Sequence, residues 1–261
     1  MILKEVVAAL ERFAPLPLQE SYDNAGLQVG LTEAEEVSGV LLCLDVTEDV
    51  IAEAITTGCN VIIAHHPLLF RGLKCVTDAT QVERCVRLAL LNGIAVYAAH
   101  TNLDNARGGV NFKIGERLGL TQMRFLSSLP AADGGSGLVG ELSAPEKPLA
   151  FLRRVKETFG VDCLFHNAGP DRPVSRVALC GGAGDFLLDE AIRCGADVFL
   201  TGEMGYHRYF GHEGQLWIGV LGHYQSERFT ISLLREILAA DFPELKLHET
   251  TVDTNPIRYM M

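Results

Sequence analysis

Residues 40–64 read VLLCLDVTEDVIAEAITTGCNVIIA, and this stretch decides the fold. Val40-Leu41-Leu42-Cys43-Leu44 is continuously apolar, without the polar alternation of a strand that faces water on one side. Thr47 predicts a helix start, because its hydroxyl can accept from an otherwise orphan first-turn N–H. Ile51, Ala54 and Ile55 continue that helix, Gly58 ends it, and Val61-Ile62-Ile63-Ala64 begins a second strand. Two apolar strands joined by a helix predict a parallel sheet covered on both faces.

Residues 177–201 repeat the pattern without a gap. Val40/Val177, Leu42/Leu179, Cys43/Cys180, Glu53/Glu190, Ala54/Ala191, Ile55/Ile192, Gly58/Gly195 and Val61/Val198 are identical. Any two strand–helix–strand units look alike, but the gapless match favours two related halves with approximate internal symmetry. His65-His66 and Gly202-Glu203 then occupy equivalent strand ends. Outside these cores, 3–13 reads as a helix with Leu3, Val6, Val7 and Leu10 on one face. The segment 226–240 reads as a helix with Glu227 in its first turn. Residues 126–175 differ in texture, with a flexible loop at 131–137, a short strand at 140–142, a helix at 148–159 and a strand at 163–165. The expected fold class is α/β: two related α/β halves with largely parallel sheets and a short inserted α+β subdomain. The boundaries are 1–125, 126–175 and 176–261.

Bulk properties exclude several function classes. The formal net charge is −11, which argues against a nucleic-acid partner gripped through phosphates. No apolar run approaches the roughly 20 residues that span a bilayer. Met1-Ile2-Leu3-Lys4-Glu5 lacks the pattern of a signal peptide, so a cytoplasmic location is expected. The seven cysteines form no C-x-x-C pair and read as reduced, mostly buried thiols.

Chemistry gathers where strand-like runs give out, as ligands do in open α/β sheets. His65-His66 follows Val61–Ala64, and Pro67 bends the chain so that both imidazoles can converge. Asp104 follows Ala95-Val96-Tyr97-Ala98-Ala99; alternatively it is a turn aspartate. His223 and Glu227 follow Trp217–Leu221, and their four-residue spacing places them on one helix face. His65, His66, Asp104, His223 and Glu227 exceed the four ligands of a closed zinc site and suit two divalent ions sharing carboxylates. Mixed imidazole and carboxylate donors fit zinc, iron, manganese or nickel. His100 and His207 are expected to shuttle protons, with a loop or core histidine as the plain alternative. Gly181-Gly182-Ala183-Gly184-Asp185 can offer N–H groups to a phosphate, or simply form a tight turn. No G-x-G-x-x-G links a strand to a helix in the Rossmann manner, which weighs against a dinucleotide-dependent oxidoreductase.

These motifs together resemble the Nif-three-like family of dinuclear-metal proteins, whose members are often labelled GTP cyclohydrolase 1 type 2 homologues. The resemblance rests on Tyr22-Asp23-Asn24-Ala25-Gly26-Leu27, Ala64-His65-His66-Pro67-Leu68, His100-Thr101-Asn102-Leu103-Asp104, Thr201-Gly202-Glu203, Gly222-His223-Tyr224 with Glu227-Arg228, and Thr254-Asn255-Pro256. The family often has Trp where this chain has Tyr22, and its long members carry a larger middle insertion. The resemblance implies metal ligation by His65, His66, Asp104, His223 and Glu227, and a ring-shaped homohexamer. The expected function is a dinuclear metal-dependent hydrolase of a nucleotide or phosphate ester, with GTP the first small-molecule substrate to consider. The alternative is a non-enzymatic metal-binding assembly or regulatory interaction protein.

Overall fold

The computed structural model describes residues 1–30, 35–129 and 133–260. In chain order the first elements are α1 (Leu3–Phe13), β1 (Gly26–Val29), β2 (Val40–Cys43), α2 (Glu48–Thr57), β3 (Val61–Ala64), α3 (Gln81–Leu91), β4 (Ala95–Ala98) and α4 (Thr101–Asp104). There follow α5 (Val110–Arg117), β5 (Thr121–Ser128), β6 (Gly135–Glu146), α6 (Pro148–Phe159), β7 (Phe165–His166), β8 (Val174–Cys180) and α7 (Leu188–Arg193). The last are β9 (Val198–Thr201), β10 (Trp217–Val220), α8 (His223–Glu227), α9 (Thr230–Asp241) and β11 (Leu247–Glu249). Two compact units divide this order. One comprises Met1–Leu103 with Thr230–Met261; the other is Asp104–Phe229.

The first unit holds a sheet of order β1-β4-β3-β2-β11, parallel except for β1 at its edge. Every residue of β2, β3 and β4 is buried, as continuous apolar strands require. Thr47 caps α2, its Oγ1 accepting from Val50 N–H at 3.2 Å, and Gly58 closes the helix in the left-handed region at φ 71°. Val50, Ile51 and Ala54 on α2 pack with Leu41, Ile62 and Val96 of the sheet. Burying each larger aliphatic side chain there stabilises the unit by about 1.5–3 kcal/mol. α9 packs on β2 and β11, with α1 against it.

The second unit holds a mixed sheet of order β5-β6-β8-β9-β10-β7. Val177 pairs with Val198 and Cys180 with Thr201, just as Val40 pairs with Val61 and Cys43 with Ala64. The gapless sequence match is thus a match of strand register. In each unit a third parallel strand follows, β4 or β10, and a short antiparallel strand, β1 or β7, borders it.

Three local expectations change. The units part at 103/104 and 229/230, whereas the sequence set boundaries at 125 and 175. α5 packs on β5, β6 and β8, which draws 104–125 into the second unit, while α9 and β11 complete the first sheet. Residues 135–137 are not a flexible loop but the start of the long strand β6, paired to both β5 and β8. Their glycines let the strand pass closely over side chains, since a Cβ at Gly135 would lie 2.8 Å from Phe125 Cβ. Ala131 and Ala132 of the expected loop lie outside the described residues. Finally, the helix expected over 226–240 is two helices, with Glu227 ending α8 and Thr230 opening α9.

Candidate metal centre

In the first unit the chain leaves β3 directly into His65 and His66, and their ring centroids stand 4.8 Å apart. His65 is completely buried, with Nδ1 2.8 Å from the Ala99 carbonyl oxygen. A carbonyl only accepts, so Nδ1 carries the proton and Nε2 presents its lone pair. Nδ1 of His66 is 2.8 Å from Asp45 Oδ1, and Thr254 Oγ1 donates to Asp45 Oδ2 at 2.8 Å. Burial pushes the Asp45 carboxyl up, but the hydrogen bonds from His66 and Thr254 and the nearby imidazoles outweigh it and hold the pKa below the usual value.

His100 joins the same group, 5.4 Å from the His65 ring and 5.6 Å from the His66 ring. Its Nδ1 lies 2.7 Å from Asp23 Oδ1, and Thr101 gives Asp23 Oδ2 both its N–H and its hydroxyl. Burial raises the Asp23 pKa, yet these donors prevail and bring it to about 2. Asp23 is therefore ionised, and His100 is held as firmly as His66.

The second unit builds its donors from the end of α4, the loop after β9 and α8. His223 and Glu227 share one helix face, with Nε2 and Oε2 3.1 Å apart. Nδ1 of His223 is 2.9 Å from Glu203 Oε1. Asp104 ends α4, where Asn111 Nδ2 donates to its main-chain carbonyl at 3.2 Å. Asp104 and Glu227 both act on the buried Cys180 thiol: burial first, then these two carboxylates, drives its pKa far above the ordinary range. That thiol stays protonated.

The turn after β8 has its three glycine amides committed within the protein. Gly181 N–H donates to Asn111 Oδ1, Gly182 N–H to Ser226 Oγ and Gly184 N–H to Thr201 Oγ1, each at 3.0 Å. Its glycines serve close approach instead. A Cβ on Gly182, which sits at φ 60°, would fall on Glu227 Oε1. At Gly202 it would come within 2.6 Å of the Gly182 carbonyl oxygen and 2.7 Å of Ser226 Oγ.

His207 lies in an exposed turn spanning Tyr206–Tyr209, where its ring meets Tyr206 and Phe210. Sequence reasoning did not assign Asp45 or Glu203 a role, nor Asp23 beyond its motif. Their only signal was position, just past a strand end or beside a histidine-bearing one. All seven cysteines are free thiols, and Cys43, Cys59, Cys85 and Cys180 are buried.

The donor chemistry fits a divalent metal. His65, His66 and His223 each fix Nδ1 on a protein acceptor, the arrangement that orients metal-binding imidazoles and fixes their tautomer. Glu227 adds a buried carboxylate, and imidazole with carboxylate is a ligand set for borderline and hard divalent ions.

An α/β protein with histidine–carboxylate pairs at its strand ends is the class these observations define. The chain belongs to the family described as Duf34/NIF3 (NGG1p interacting factor 3), which it matches over residues 1–256. It is 35% identical to a Lactococcus lactis protein named GTP cyclohydrolase 1 type 2 homolog, over 98% of both chains. The crystal structure of a Bacillus cereus protein related to NIF3 matches with a TM-score of 0.87 and 25% identity, over 98% of both chains. The Staphylococcus aureus protein SA1388 shares the fold, with a TM-score of 0.90 at 24% identity over 100% of this chain and 99% of that one. Among the described residues no helix is long and apolar enough to cross a membrane.

Proposed function

We propose that this chain is a dinuclear metal-dependent hydrolase of a nucleotide or phosphate ester, with GTP as the first substrate to test. The observation that carries the reading is the repeated pairing of an imidazole Nδ1 with a fixed acceptor: Ala99 for His65, Asp45 for His66 and Glu203 for His223. The similarity to the relative named GTP cyclohydrolase 1 type 2 homolog supports the substrate. His65, His66, Asp104, His223 and Glu227 would hold two divalent ions, zinc, iron, manganese or nickel. Such ions, when bound, acidify water and stabilise negative charge that develops on oxygen.

The protein residues supply the rest. Asp45 and Glu203 orient His66 and His223 and keep each proton on Nδ1. His100, oriented by ionised Asp23, accepts a proton at Nε2 or returns it there. His207 is the second proton carrier in this reading, and its exposure favours exchange with solvent. Five side chains for two ions leave positions for water and substrate, which separates catalysis from storage. A homohexameric ring is part of the same proposal, and light scattering tests it.

The deciding experiment is product analysis of GTP with metal-loaded protein beside Glu227→Ala. Formate and an opened-ring triphosphate, lost in the variant, support a cyclohydrolase; phosphate alone, lost in the variant, supports a phosphohydrolase. No product from either protein withdraws GTP and favours a metal-binding assembly that acts through protein contacts.

A further inference from the structure

The second unit carries a cleft of about 580 Å³ whose lining includes none of the five candidate metal ligands. Phe165 and His166 line it on one segment, and Tyr206, Tyr209 and Phe210 on another. Phe165, Tyr206 and Phe210 are 63%, 72% and 57% exposed. The Tyr206 and Phe210 rings meet edge to face at 5.4 Å. So many large rings left together in water mark a binding surface.

The polar lining narrows the occupant. Asn167 is committed to the main chain, its Nδ2 donating to the Leu216 carbonyl oxygen at 3.1 Å and its Oδ1 accepting from Ile218 N–H at 2.8 Å. Glu213 is the one carboxylate among the described lining residues, and its Oε1 takes only a long 3.4 Å contact from Gly211 N–H. An apolar protein face pressed on this cleft would bury that carboxylate without compensation. A flat ring with two adjacent N–H donors would stack on one of the aromatic rings, meet the other with its edge and pair with both carboxylate oxygens. The volume lies within the roughly 300–1,000 Å³ of small-molecule sites. Met204, next to the Glu203 that holds His223, lines the same cleft.

We propose that this cleft binds the base of a guanine-type nucleotide, with Phe210 stacking on the ring, Tyr206 meeting its edge and Glu213 accepting from its two adjacent ring-edge N–H donors. The proposal deepens the nucleotide reading above and rests on it for the ligand class. Guanine offers two donors on that edge. Hypoxanthine offers one, and adenine turns a ring lone pair toward the carboxylate.

Equilibrium dialysis of the full-length protein with GMP, IMP and AMP tests it without any turnover. GMP is expected to bind most tightly, then IMP, then AMP. Glu213→Gln should cut the GMP-over-AMP preference about tenfold, and Phe210→Ala should weaken all three about tenfold, the size of one lost stacking contact. Both side chains are at the surface, so the variants keep the fold. Equal affinity for the three nucleotides, or variants that leave it unchanged, overturns the proposal. So does a change of oligomeric state in Tyr206→Ala or Phe210→Ala with binding intact, which would make this face an interface between copies. A Glu213-dependent preference without GTP turnover keeps the cleft and withdraws the hydrolase; turnover without that preference does the reverse.

Discussion

The two units build the same strand–helix–strand core and then spend equivalent positions differently. Past the first strand, one unit has Asp45 and the other Gly182; past the second, one has His66 and the other Glu203. In the first unit the imidazole–carboxylate pair therefore bridges β2 and β3, as His66 on Asp45. In the second it has moved one strand along, to β9 and β10, as His223 on Glu203. The scaffold dictates where a side chain can stand, and neighbouring strand ends supply the partner that orients it. Which strand delivers the imidazole is free to drift.

If both pairs orient metal ligands, removing an imidazole from either unit should have the largest effect. His66→Ala and His223→Ala are each expected to lower metal affinity by more than the roughly 10–100-fold that loss of an orienting partner costs. Metal content after dialysis, measured by elemental analysis, checks this. Retention of full metal by either variant would break the equivalence of the two units.

The drift has a steric requirement. Gly182 replaces Asp45 because Glu227 lies where a Cβ would be, and because φ is 60°. Gly182→Ala should destabilise the protein by about 3 kcal/mol, adding overpacking to left-handed strain. Urea unfolding measures it, and a loss under about 1 kcal/mol would mean that Glu227 moves aside freely.

The orienting carboxylates come next, and they should differ. The Asp45 side chain is 35% exposed and tied to Thr254, whereas that of Glu203 is 58% exposed. Asp45→Asn should weaken metal binding toward the upper end of about 10–100-fold, and Glu203→Gln toward the lower end. Equal losses would erase the distinction between a half-buried and an exposed support.

Much of this frame was legible in the sequence. Thr47, Gly58 and the runs at 40–44 and 61–64 act locally, through a cap, a left-handed stop and burial on both faces, so the first core could be read directly. The repeat at 177–201 extended that reading to register. Strand-end position and residue type together marked His65, His66, His223 and Glu227 as candidates. What escaped depends on partners distant in the chain. Gly135 and Gly137 read as loop because their reason, crowding by Phe125 and Leu126, is tertiary. Asp23 resembles an ordinary turn residue until His100 arrives from 77 positions away.

Asp23 gives the first unit a pH signature. Its pKa falls from an ordinary 3.8 to about 2 on folding. A depressed carboxylate contributes stability that is complete above the unfolded pKa and fades as pH drops toward the folded one. Roughly 2 kcal/mol should therefore disappear between about pH 4 and pH 2. Asp23→Asn should flatten that limb in urea unfolding measured across the range. An unchanged limb would assign acid sensitivity to other carboxylates.

The smallest effect should come from Thr254, which reaches Asp45 from the C-terminal segment. Its hydroxyl donates to Asp45 Oδ2, while Oδ1 takes the proton of His66 Nδ1. Removing it in Thr254→Val leaves His66 its partner but frees the carboxylate to turn. The expected cost is about 1 kcal/mol in stability, that of a single hydrogen bond to a half-exposed group, with metal affinity falling less than tenfold. A loss as large as that of Asp45→Asn would show that Thr254, and not burial, fixes the Asp45 rotamer. The better-held support of the first unit would then derive from its C-terminal segment rather than from β2. No change at all would place the rigidity in the strand end itself, where the second unit has only glycine.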